Sequence, residues 1–242
     1  MTDSIISASV IGAAGYTGGE LIRILVNHPN VSLDQLVSQS QAGKRVSDIH
    51  QDLLPYQDMQ FTESLTNDPD IIFLCMGHGK SRDWVTEYSG KARIVDLSQD
   101  FRHRGSADGF VYGLPEFQQE QIREAQRIAN PGCFATAIQL ALLPLAAAGL
   151  ARNDIHIHGI TGSTGAGQGL SDTSHFSWRN NNISLYKVFD HQHLIEIGET
   201  LNSLEESLPE LIFIPMRGNF TRGIFISAHM KFSGTQEEVY QL

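Results

Sequence analysis

The sequence predicts the α/β fold class: a doubly wound parallel sheet followed by a second domain of the α+β class. Three observations predict this. Short β-prone runs alternate with helical patterns through the first half of the chain. Two of those runs, residues 70–76 and 92–97, are mainly apolar, which is typical of strands buried on both faces of a parallel sheet. After Cys133 the alternation gives way to a long apolar helix and a section of mixed character.

The first domain is predicted to span residues 1–132. Its opening strand ends in glycine, and the next helix has apolar side chains spaced along one helix face. The predicted elements are, in order, a strand at residues 4–12, a helix at 18–27, and strands at 31–38, 70–76 and 92–97. Strands and helix at this spacing favour parallel pairing.

The second domain is predicted to span residues 133–242 and to present residues to the first. A glycine- and serine-rich stretch and a polar segment interrupt its regular patterns. The predicted elements are a helix at residues 135–148, a strand at 155–161, a helix at 193–208, strands at 211–215 and 223–232, and the start of a helix at 237–242.

The composition favours a cytoplasmic protein with small-molecule partners. A formal charge of −10 argues against binding to nucleic acid or to an anionic membrane. The apolar run at residues 135–150 is interrupted by Gln139, Pro144 and Gly149, so no membrane span is expected. The first four residues lack a basic region, which argues against a secretory signal. Two cysteines do not suggest a disulfide framework.

A glycine-rich turn follows the first predicted strand and opens the first helix. Gly12, Gly15 and Gly18 permit a tight turn and close approach of the backbone to a pyrophosphate, with Tyr16 and Thr17 between them. The helix N-terminus supplies amide groups and positive dipole charge. We interpret this pattern as a dinucleotide site of Rossmann type; the alternative is a strand–helix turn with no ligand.

The end of the second strand favours NADP over NAD. An NAD site places an acidic residue there to bind the ribose 2′-hydroxyl, but Asp34 comes too early in the strand. Ser38, Ser40 and Lys44 instead offer hydroxyl groups and a cation that suit a 2′-phosphate. The alternative is a polar loop with exposed basic residues.

Cys133 is the candidate nucleophile. It follows Asn130, Pro131 and Gly132 and begins the long apolar helix, whose dipole favours a thiolate at that position. Cys75, within an apolar strand, is interpreted as structural. A buried structural cysteine remains the alternative for Cys133 as well.

His191 and His193 precede the second predicted helix of the second domain. A catalytic thiolate needs a base for its proton and an acid for a developing oxyanion, and either histidine can serve as both. We expect His193 to matter more because it is nearer the helix start. No third ligand stands at metal-binding spacing, so no metal site is predicted.

Two loops of the second domain are candidate anion sites. Arg217 and Arg222 lie between two strand candidates, and guanidinium groups suit carboxylate and phosphate. The stretch at residues 163–168, which includes Ser163 and Gly165, follows a strand and can offer amide groups to an anion. The alternative for each is a surface loop.

Together these motifs resemble the N-acetyl-gamma-glutamyl-phosphate reductase family, from the glycine turn to the last residue. The matching motifs are GAAGYTGGEL at residues 12–21, AGK at 42–44, DLSQDFR at 96–102, YGLPE at 112–116, NPGC at 130–133, TGSTGAGQ at 161–168 and HQHLIEI at 191–197. The number of matches in the same order makes the resemblance specific.

The resemblance implies a reaction and a set of contacts. A Cys133 thioester forms from an acyl phosphate and is reduced with NADPH to an aldehyde, while His191 or His193 transfers the proton. Gly77 and His78 are implied to line the nicotinamide side of the cleft. Implied substrate contacts are Asn130, Arg102, Arg217 and Arg222. The resemblance also implies a homo-oligomer, a dimer or a tetramer.

The sequence departs from the family at several positions. The family commonly has Tyr-Pro-Thr where this chain has Phe134, Ala135 and Thr136, and arginine where it has Gln39. The stretch at residues 216–223 is longer than usual, which leaves an N-succinyl substrate open beside N-acetyl. Family members also continue past Leu242 with a segment that returns to the nucleotide domain, so we expect the chain to be C-terminally truncated.

Three other functions remain open at the level of sequence. Aspartate-semialdehyde dehydrogenase has the same architecture and chemistry, but the ordered motifs disfavour it. A Cys/His hydrolase or acyl transferase would not need the glycine turn. A non-catalytic NADP-binding regulator would have an unreactive thiol at Cys133.

Overall fold

The computed structural model describes residues 5–56, 58–204 and 209–242. The chain divides into two compact units, Met1–Asn130 and Pro131–Leu242, where the sequence predicts a boundary after Gly132. Each unit has its own sheet, and each is described by itself.

The first unit contains one seven-stranded sheet in the order β3-β2-β1-β4-β5-β7-β6. Every pair of neighbouring strands is parallel, so the predicted doubly wound parallel sheet is confirmed. Its strands are β1 (Ile6–Ile11), β2 (Val31–Val37), β3 (Phe61–Thr62), β4 (Ile71–Leu74), β5 (Arg93–Asp96), β6 (Val111–Tyr112) and β7 (Arg127–Ala129). Its helices are α1 (Tyr16–Leu25), α2 (Val46–Ile49), α3 (Arg82–Tyr88) and α4 (Pro115–Glu124). Ser4, in the predicted first strand, lies outside the described residues.

Helices pack on both faces of this sheet, and the side chains of each strand point to the two faces in alternation. Ala8 and Val10 of β1 pack in one core cluster with Ile22 of α1. Ile72 of β4 packs in another cluster with Val85 of α3. Full burial of an aliphatic side chain of this kind stabilises a fold by roughly 1.5–3 kcal/mol. The mainly apolar run at residues 70–76 therefore reflects a strand, β4, whose side chains pack in both core clusters.

Strands β3, β6 and β7 have no counterpart among the predicted strands. They are two or three residues long, too short to show a period in the sequence. Their positions are set by backbone pairing with longer neighbours, for example β3 with β2.

The strand order places two turns side by side. β1 and β4 are neighbours although β2 and β3 lie between them in sequence, so connections leave this point in opposite directions. Ligands of open parallel sheets bind where the strand order reverses, beyond the carboxyl ends of the strands. The glycine turn follows β1, and Gly77 follows β4.

The second unit has a mixed four-stranded sheet in the order β11-β8-β10-β9, as expected of the α+β class. The strands β8 and β10 are parallel, and β11 and β9 pair antiparallel to them. Its strands are β8 (Ile155–Thr161), β9 (Ser184–Leu185), β10 (Leu211–Arg217) and β11 (Ile224–His229). Its helices are α5 (Cys133–Ala147), α6 (Phe176–Arg179), α7 (His193–Leu201) and α8 (Gln236–Tyr240). The end of the predicted helix at residues 193–208 falls partly outside the described residues.

One face of this second sheet is covered and the other is exposed. Ile155 and Ile157 of β8 are buried, whereas His156 and His158 between them are exposed. Helix α5 packs against α7 and β11. Within the described ranges, no helix has both the length and the apolar character needed to cross a membrane.

Candidate active site

The glycine turn has a backbone that excludes side chains. Gly12 has a φ of +80°, and a Cβ there would lie 2.6 Å from the carbonyl oxygen of Cys75 on the neighbouring strand. A Cβ at Gly18 would lie 2.7 Å from the carbonyl oxygen of Gly12. Gly15 caps α1 without a side-chain hydrogen bond, and Tyr16 and Thr17 are exposed in the first turn. This cradle at a helix N-terminus fits the pyrophosphate of a dinucleotide.

His50 supports the glycine turn from inside the unit. Its side chain is buried, and its Nε2 lies 2.9 Å from the carbonyl oxygen of Ala13. A Cβ at Gly19 would lie 2.5 Å from the same imidazole ring. The sequence reveals neither contact, because His50 stands 37 residues from Ala13.

The end of β2 carries hydroxyl groups and no carboxylate. Ser38 is buried there and donates its amide to the carbonyl oxygen of Thr62, while Ser40 and Lys44 are exposed. Asp34 accepts a 2.7 Å hydrogen bond from the Asn67 side chain within the preceding strand. This strand end therefore offers hydroxyl groups and a cation, and the acidic residue within the strand is engaged by Asn67.

The motif at residues 96–102 forms hydrogen bonds with the turn after β4. Asp96 is fully buried and accepts hydrogen bonds of 2.6 Å from the hydroxyl groups of Ser81 and Ser98. Asp100 accepts the amide of Gly79 at 2.7 Å, and the Nδ1 of His78 accepts the amide of Gln99 at 3.1 Å. His78 is thereby held next to Gly77 at the switch point of the sheet.

Arg102 lies inside the first unit. It is buried, and it donates to the carbonyl oxygens of Asn130 and Leu97, each at 2.8 Å. Asn130 is exposed, and its amide donates to the carbonyl oxygen of Asp96. Arg102 therefore binds the residue with which the Asn130–Cys133 motif begins.

The two cysteines have opposite environments. Cys133 is exposed and is the first residue of α5, directly after the cap residue Gly132. Cys75 lies at the sheet, where burial and then the charge of Asp96 raise the pKa of its thiol to about 12. Neither cysteine forms a disulfide bond within the described residues. Of the two, Cys133 has the exposure and the helix position that a nucleophile requires.

His193 and Glu196 lie against Gly132. The Nε2 of His193 is 3.9 Å from the Oε1 of Glu196, one turn later in α7. The other carboxylate oxygen of Glu196 accepts the amide of Gly132 at 3.0 Å. A Cβ at Gly132 would lie 2.4 Å from the Nε2 of His193 and 2.5 Å from the Oε1 of Glu196, so a side chain there would displace both groups. Glu196 is a site residue that sequence reasoning missed, although its spacing of three residues from His193 on one helix was a usable signal.

The surroundings of His191 favour its neutral form. Burial, with a smaller contribution from the charge of Lys187, lowers the pKa of His191 to about 4. Its Nδ1 accepts the amide of His193 at 3.2 Å, so a neutral His191 carries its proton on Nε2. His191 is therefore a neutral hydrogen-bond donor near neutral pH, whereas His193 has a carboxylate beside it.

Phe134, where the family commonly has tyrosine, packs against the rings of His191 and His193. It is fully buried, and its ring centroid is 5.6 Å from that of His191 and 6.5 Å from that of His193. It also packs edge-on against Phe213 of β10 at 5.1 Å. A phenol hydroxyl at this buried position would need a hydrogen-bond partner, whereas phenylalanine does not.

Arg217 ends β10 next to Tyr186. The guanidinium carbon of Arg217 is 4.6 Å from the centroid of the Tyr186 ring, and that ring is 5.8 Å from the His191 ring. Burial raises the pKa of Tyr186, the charge of Arg217 opposes that rise, the charge of Cys133 adds to it, and a side-chain hydrogen bond with Arg217 also lowers it. Arg222 is exposed in the connection to β11.

The stretch at residues 163–166 is a short 3₁₀ helix that is bonded to the β10–β11 connection. The amide of Ser163 donates to the carbonyl oxygen of Phe220 at 2.8 Å, and that of Thr164 to Thr221 at 3.3 Å. The Ser163 amide is therefore engaged within the unit. Gly165 is exposed.

The predicted residues thus form two groups, one in each unit. The turn residues, Ser38, Ser40, Lys44, Gly77 and His78 belong to the first unit, as do Arg102 and Asn130. Within the second unit, Cys133, His191, His193 and Arg217 are joined by Phe134, Tyr186 and Glu196. Among the residues described in either unit, no cluster of three or more His, Cys, Asp or Glu residues can hold a metal ion.

Two family descriptions match the chain. One, "Semialdehyde dehydrogenase, NAD binding domain", matches residues 7–125. The other, "Semialdehyde dehydrogenase, dimerisation domain", matches residues 133–242.

Curated relatives are similar over nearly the whole chain. A protein of Christiangramia forsetii named N-acetyl-gamma-glutamyl-phosphate reductase is 52% identical over 98% of this chain and 75% of its own length. One of the same name from Azobacteroides pseudotrichonymphae is 54% identical over 93% of this chain and 71% of its own. One from Flavobacterium johnsoniae is 50% identical over 97% of this chain and 74% of its own.

Solved structures share the fold at much lower identity. Aspartate semialdehyde dehydrogenase with NADP from Candida albicans has a TM-score of 0.72 and 16% identity, covering 98% of this chain and 75% of that one. Aspartate semialdehyde dehydrogenase II from Vibrio cholerae has a TM-score of 0.71 and 15% identity, covering 98% of this chain and 78% of that one.

Proposed function

The chain belongs to the N-acetyl-gamma-glutamyl-phosphate reductase family, and we propose that Cys133 and His193 carry out the family's reaction, the reductive dephosphorylation of N-acetyl-gamma-glutamyl phosphate. The observation that supports these roles most strongly is the arrangement of Cys133, His193 and Glu196 around Gly132. A nucleophile, a base and a carboxylate that orients the base form the usual group for covalent catalysis.

The chemistry begins at the exposed thiol. His193 takes the proton of Cys133, and the thiolate attacks the acyl carbon, which expels phosphate and leaves a thioester on Cys133. Glu196 stabilises the imidazolium that forms. The amides in the first turn of α5, which precede the first intrahelical bond from Thr136 to Gly132, stabilise the oxyanion.

The second half of the reaction uses the same residues. When bound, the nicotinamide supplies the hydride that reduces the thioester. His193 shuttles the proton of the resulting hemithioacetal as the C–S bond breaks, which releases N-acetylglutamate 5-semialdehyde and restores the thiolate. His191, neutral at working pH, donates a hydrogen bond in the site.

The chain binds a nicotinamide dinucleotide, and we propose NADP. In this proposal Gly12, Gly15, Tyr16, Thr17 and Gly18 hold the pyrophosphate. The 2′-phosphate is bound by Ser38, Ser40 and Lys44, and the nicotinamide side by Gly77, His78, Ser163 and Gly165. The absence of a carboxylate at the end of β2 supports NADP.

The substrate-binding residues in this proposal are Asn130, Arg217 and Arg222 by contact, and Arg102 indirectly. Arg217 has the strongest support, because its guanidinium stands beside Tyr186 and His191. Arg102 contributes by holding the backbone of Asn130.

We also propose a cytoplasmic homo-oligomer. The exposed face of the second sheet carries His156, His158 and Phe225, and the unit belongs to a dimerisation domain family. A cytoplasmic location keeps the Cys133 thiol reduced. Sedimentation that shows only a monomer at micromolar concentration would contradict the oligomer.

The decisive experiment is NADP⁺ reduction with N-acetylglutamate 5-semialdehyde, with and without inorganic phosphate. We expect reduction to require phosphate and to be lost in Cys133→Ser. Equal rates without phosphate would contradict the acyl-phosphate reaction. Aspartate semialdehyde and the N-succinyl semialdehyde serve as comparison substrates, and a higher kcat/KM for either would contradict the proposed substrate.

A further inference from the structure

Arg217 has an unusual environment for an arginine. Its Nε is buried without a hydrogen-bond partner in the part of the chain that the structure describes. Among the same residues, no carboxylate forms a salt bridge with its guanidinium. A buried guanidinium N–H without a partner is costly unless a ligand completes it.

Arg179 fixes the backbone of Arg217 from inside the unit. It is buried and donates to the carbonyl oxygen of Arg217 at 2.6 Å and to the hydroxyl of Ser184 at 2.7 Å. Burial, and then the like charge of Arg217, lowers the pKa of Arg179. The two guanidinium groups therefore repel each other, and no described carboxylate offsets their charge. A second positive charge at this position favours an anion beside Arg217.

Tyr186 supports the side chain of Arg217. The guanidinium carbon lies 4.6 Å from the ring centroid, which is cation–π distance. The amide of Tyr186 donates to the carbonyl oxygen of Pro215, so the ring is tied to the strand that carries Arg217. The Tyr186 ring centroid is also 5.8 Å from that of His191, and Cys133 lies within electrostatic reach of the Tyr186 hydroxyl.

We propose that Tyr186 is a positioning residue, whose ring holds the guanidinium of Arg217 in place for the anionic oxygens of the substrate that reacts at Cys133. The assignment rests on the proposed function for the identity of that substrate. The anionic oxygens belong to either the phosphoryl group or the α-carboxylate.

The test measures the charge that Arg217 presents to Cys133, and it requires neither cofactor nor turnover. The rates of alkylation of Cys133 by iodoacetate, an anion, and by iodoacetamide, which is neutral, are compared by mass spectrometry. Their ratio cancels changes in thiolate content. We expect Arg217→Gln to lower the ratio by roughly three- to thirtyfold, which is the effect of one nearby charge.

The variants at Tyr186 decide the assignment. We expect Tyr186→Leu to lower the ratio of alkylation rates nearly as much as Arg217→Gln does. Tyr186→Phe is expected to keep the wild-type ratio. The double variant Tyr186→Leu/Arg217→Gln is expected to have a ratio no lower than that of Arg217→Gln alone. Tyr88→Leu, which removes a stacked ring in the first unit, is the matched control and is expected to keep the ratio. A Tyr186→Leu ratio equal to wild type, or a Tyr186→Phe ratio as low as that of Tyr186→Leu, would overturn the proposal.

A protection assay identifies the anion. N-acetyl-L-glutamate and inorganic phosphate are each titrated against iodoacetamide alkylation of Cys133. We expect Tyr186→Leu to weaken protection by one of them at least fivefold; loss for N-acetyl-L-glutamate indicates the carboxylate, and loss for phosphate indicates the phosphoryl group. Unchanged protection by both would overturn the proposal, while a missing reductase activity would affect only the proposed function.

Discussion

The glycine turn of the first unit and the cysteine site of the second are formed by different kinds of atoms. The turn is made of backbone atoms: a Cβ at Gly18 would meet the carbonyl oxygen of Gly12, and a Cβ at Gly12 would meet that of Cys75, which follows β4. The cysteine site is made of side chains from separate elements. Glu196, for example, reaches the amide of Gly132 across 64 residues.

This difference decides what each site tolerates. A backbone site fails when any side chain is added, whatever its chemistry. A side-chain site fails when the chemistry of one group changes, even if the shape is kept.

Replacing the nucleophile gives the largest effect. We expect Cys133→Ser to lower reductase activity by at least about 10³-fold, because a hydroxyl group is a far weaker nucleophile. The cofactor turn is made entirely of first-unit backbone, so the Kd for NADP⁺ is expected to stay within about twofold. Steady-state kinetics and a fluorescence titration measure the two quantities. A comparable loss of NADP⁺ binding would contradict the separate roles of the two regions.

The two histidines are expected to differ in turnover. His193→Asn should lower kcat by roughly 10²–10⁴-fold, because His193 is the proposed proton carrier. His191→Asn should cost less, because a lowered pKa keeps His191 neutral. Glu196→Gln removes the charge beside His193 and is expected to cost roughly tenfold or more in kcat. Asparagine is used instead of alanine because its size is closer to that of histidine, which keeps the packing on Phe134. A larger loss of kcat for His191→Asn than for His193→Asn would reverse the assignment.

Two glycines with the same φ allow the cost of backbone strain to be measured apart from the cost of a steric clash. Gly12 and Gly43 both have a φ of +80°, but a Cβ at Gly43 meets nothing within 4 Å. Gly43→Ala is expected to destabilise the first unit by about 1–2 kcal/mol, from backbone strain alone. Gly12→Ala adds a clash with Cys75, which we expect to cost about 1–3 kcal/mol more and to weaken NADP⁺ binding. Equal free energies of unfolding for the two variants would show that the close approach is unimportant.

The same contrast explains what the sequence predicted. The strand, turn and helix from Ile6 to Leu25 are local patterns, and a fingerprint of glycines describes a backbone shape directly. The position of Cys133 at the start of a helix is predictable for the same reason, since proline and glycine mark that start. Tyr186 and Glu196 were not predicted, because tertiary packing brings them to Arg217 and Gly132 and no local pattern encodes that packing. His50 was missed for the same reason.

The last prediction concerns the response of the second unit to acid. Burial lowers the pKa of His191 from its ordinary value of 6.5 to about 4, so the unfolded chain binds a proton between these pH values and the folded chain does not. Stability therefore falls as the pH decreases from about 6.5 to about 4, by on the order of 2 kcal/mol. His191→Phe, which places another aromatic ring beside Phe134 and Phe213, should flatten this dependence. Urea unfolding followed by Trp178 fluorescence in a Trp84→Phe background measures it. The exposed His175→Gln serves as the control, and if it flattened the curve as much as His191→Phe, the acid sensitivity would not arise from the buried histidine.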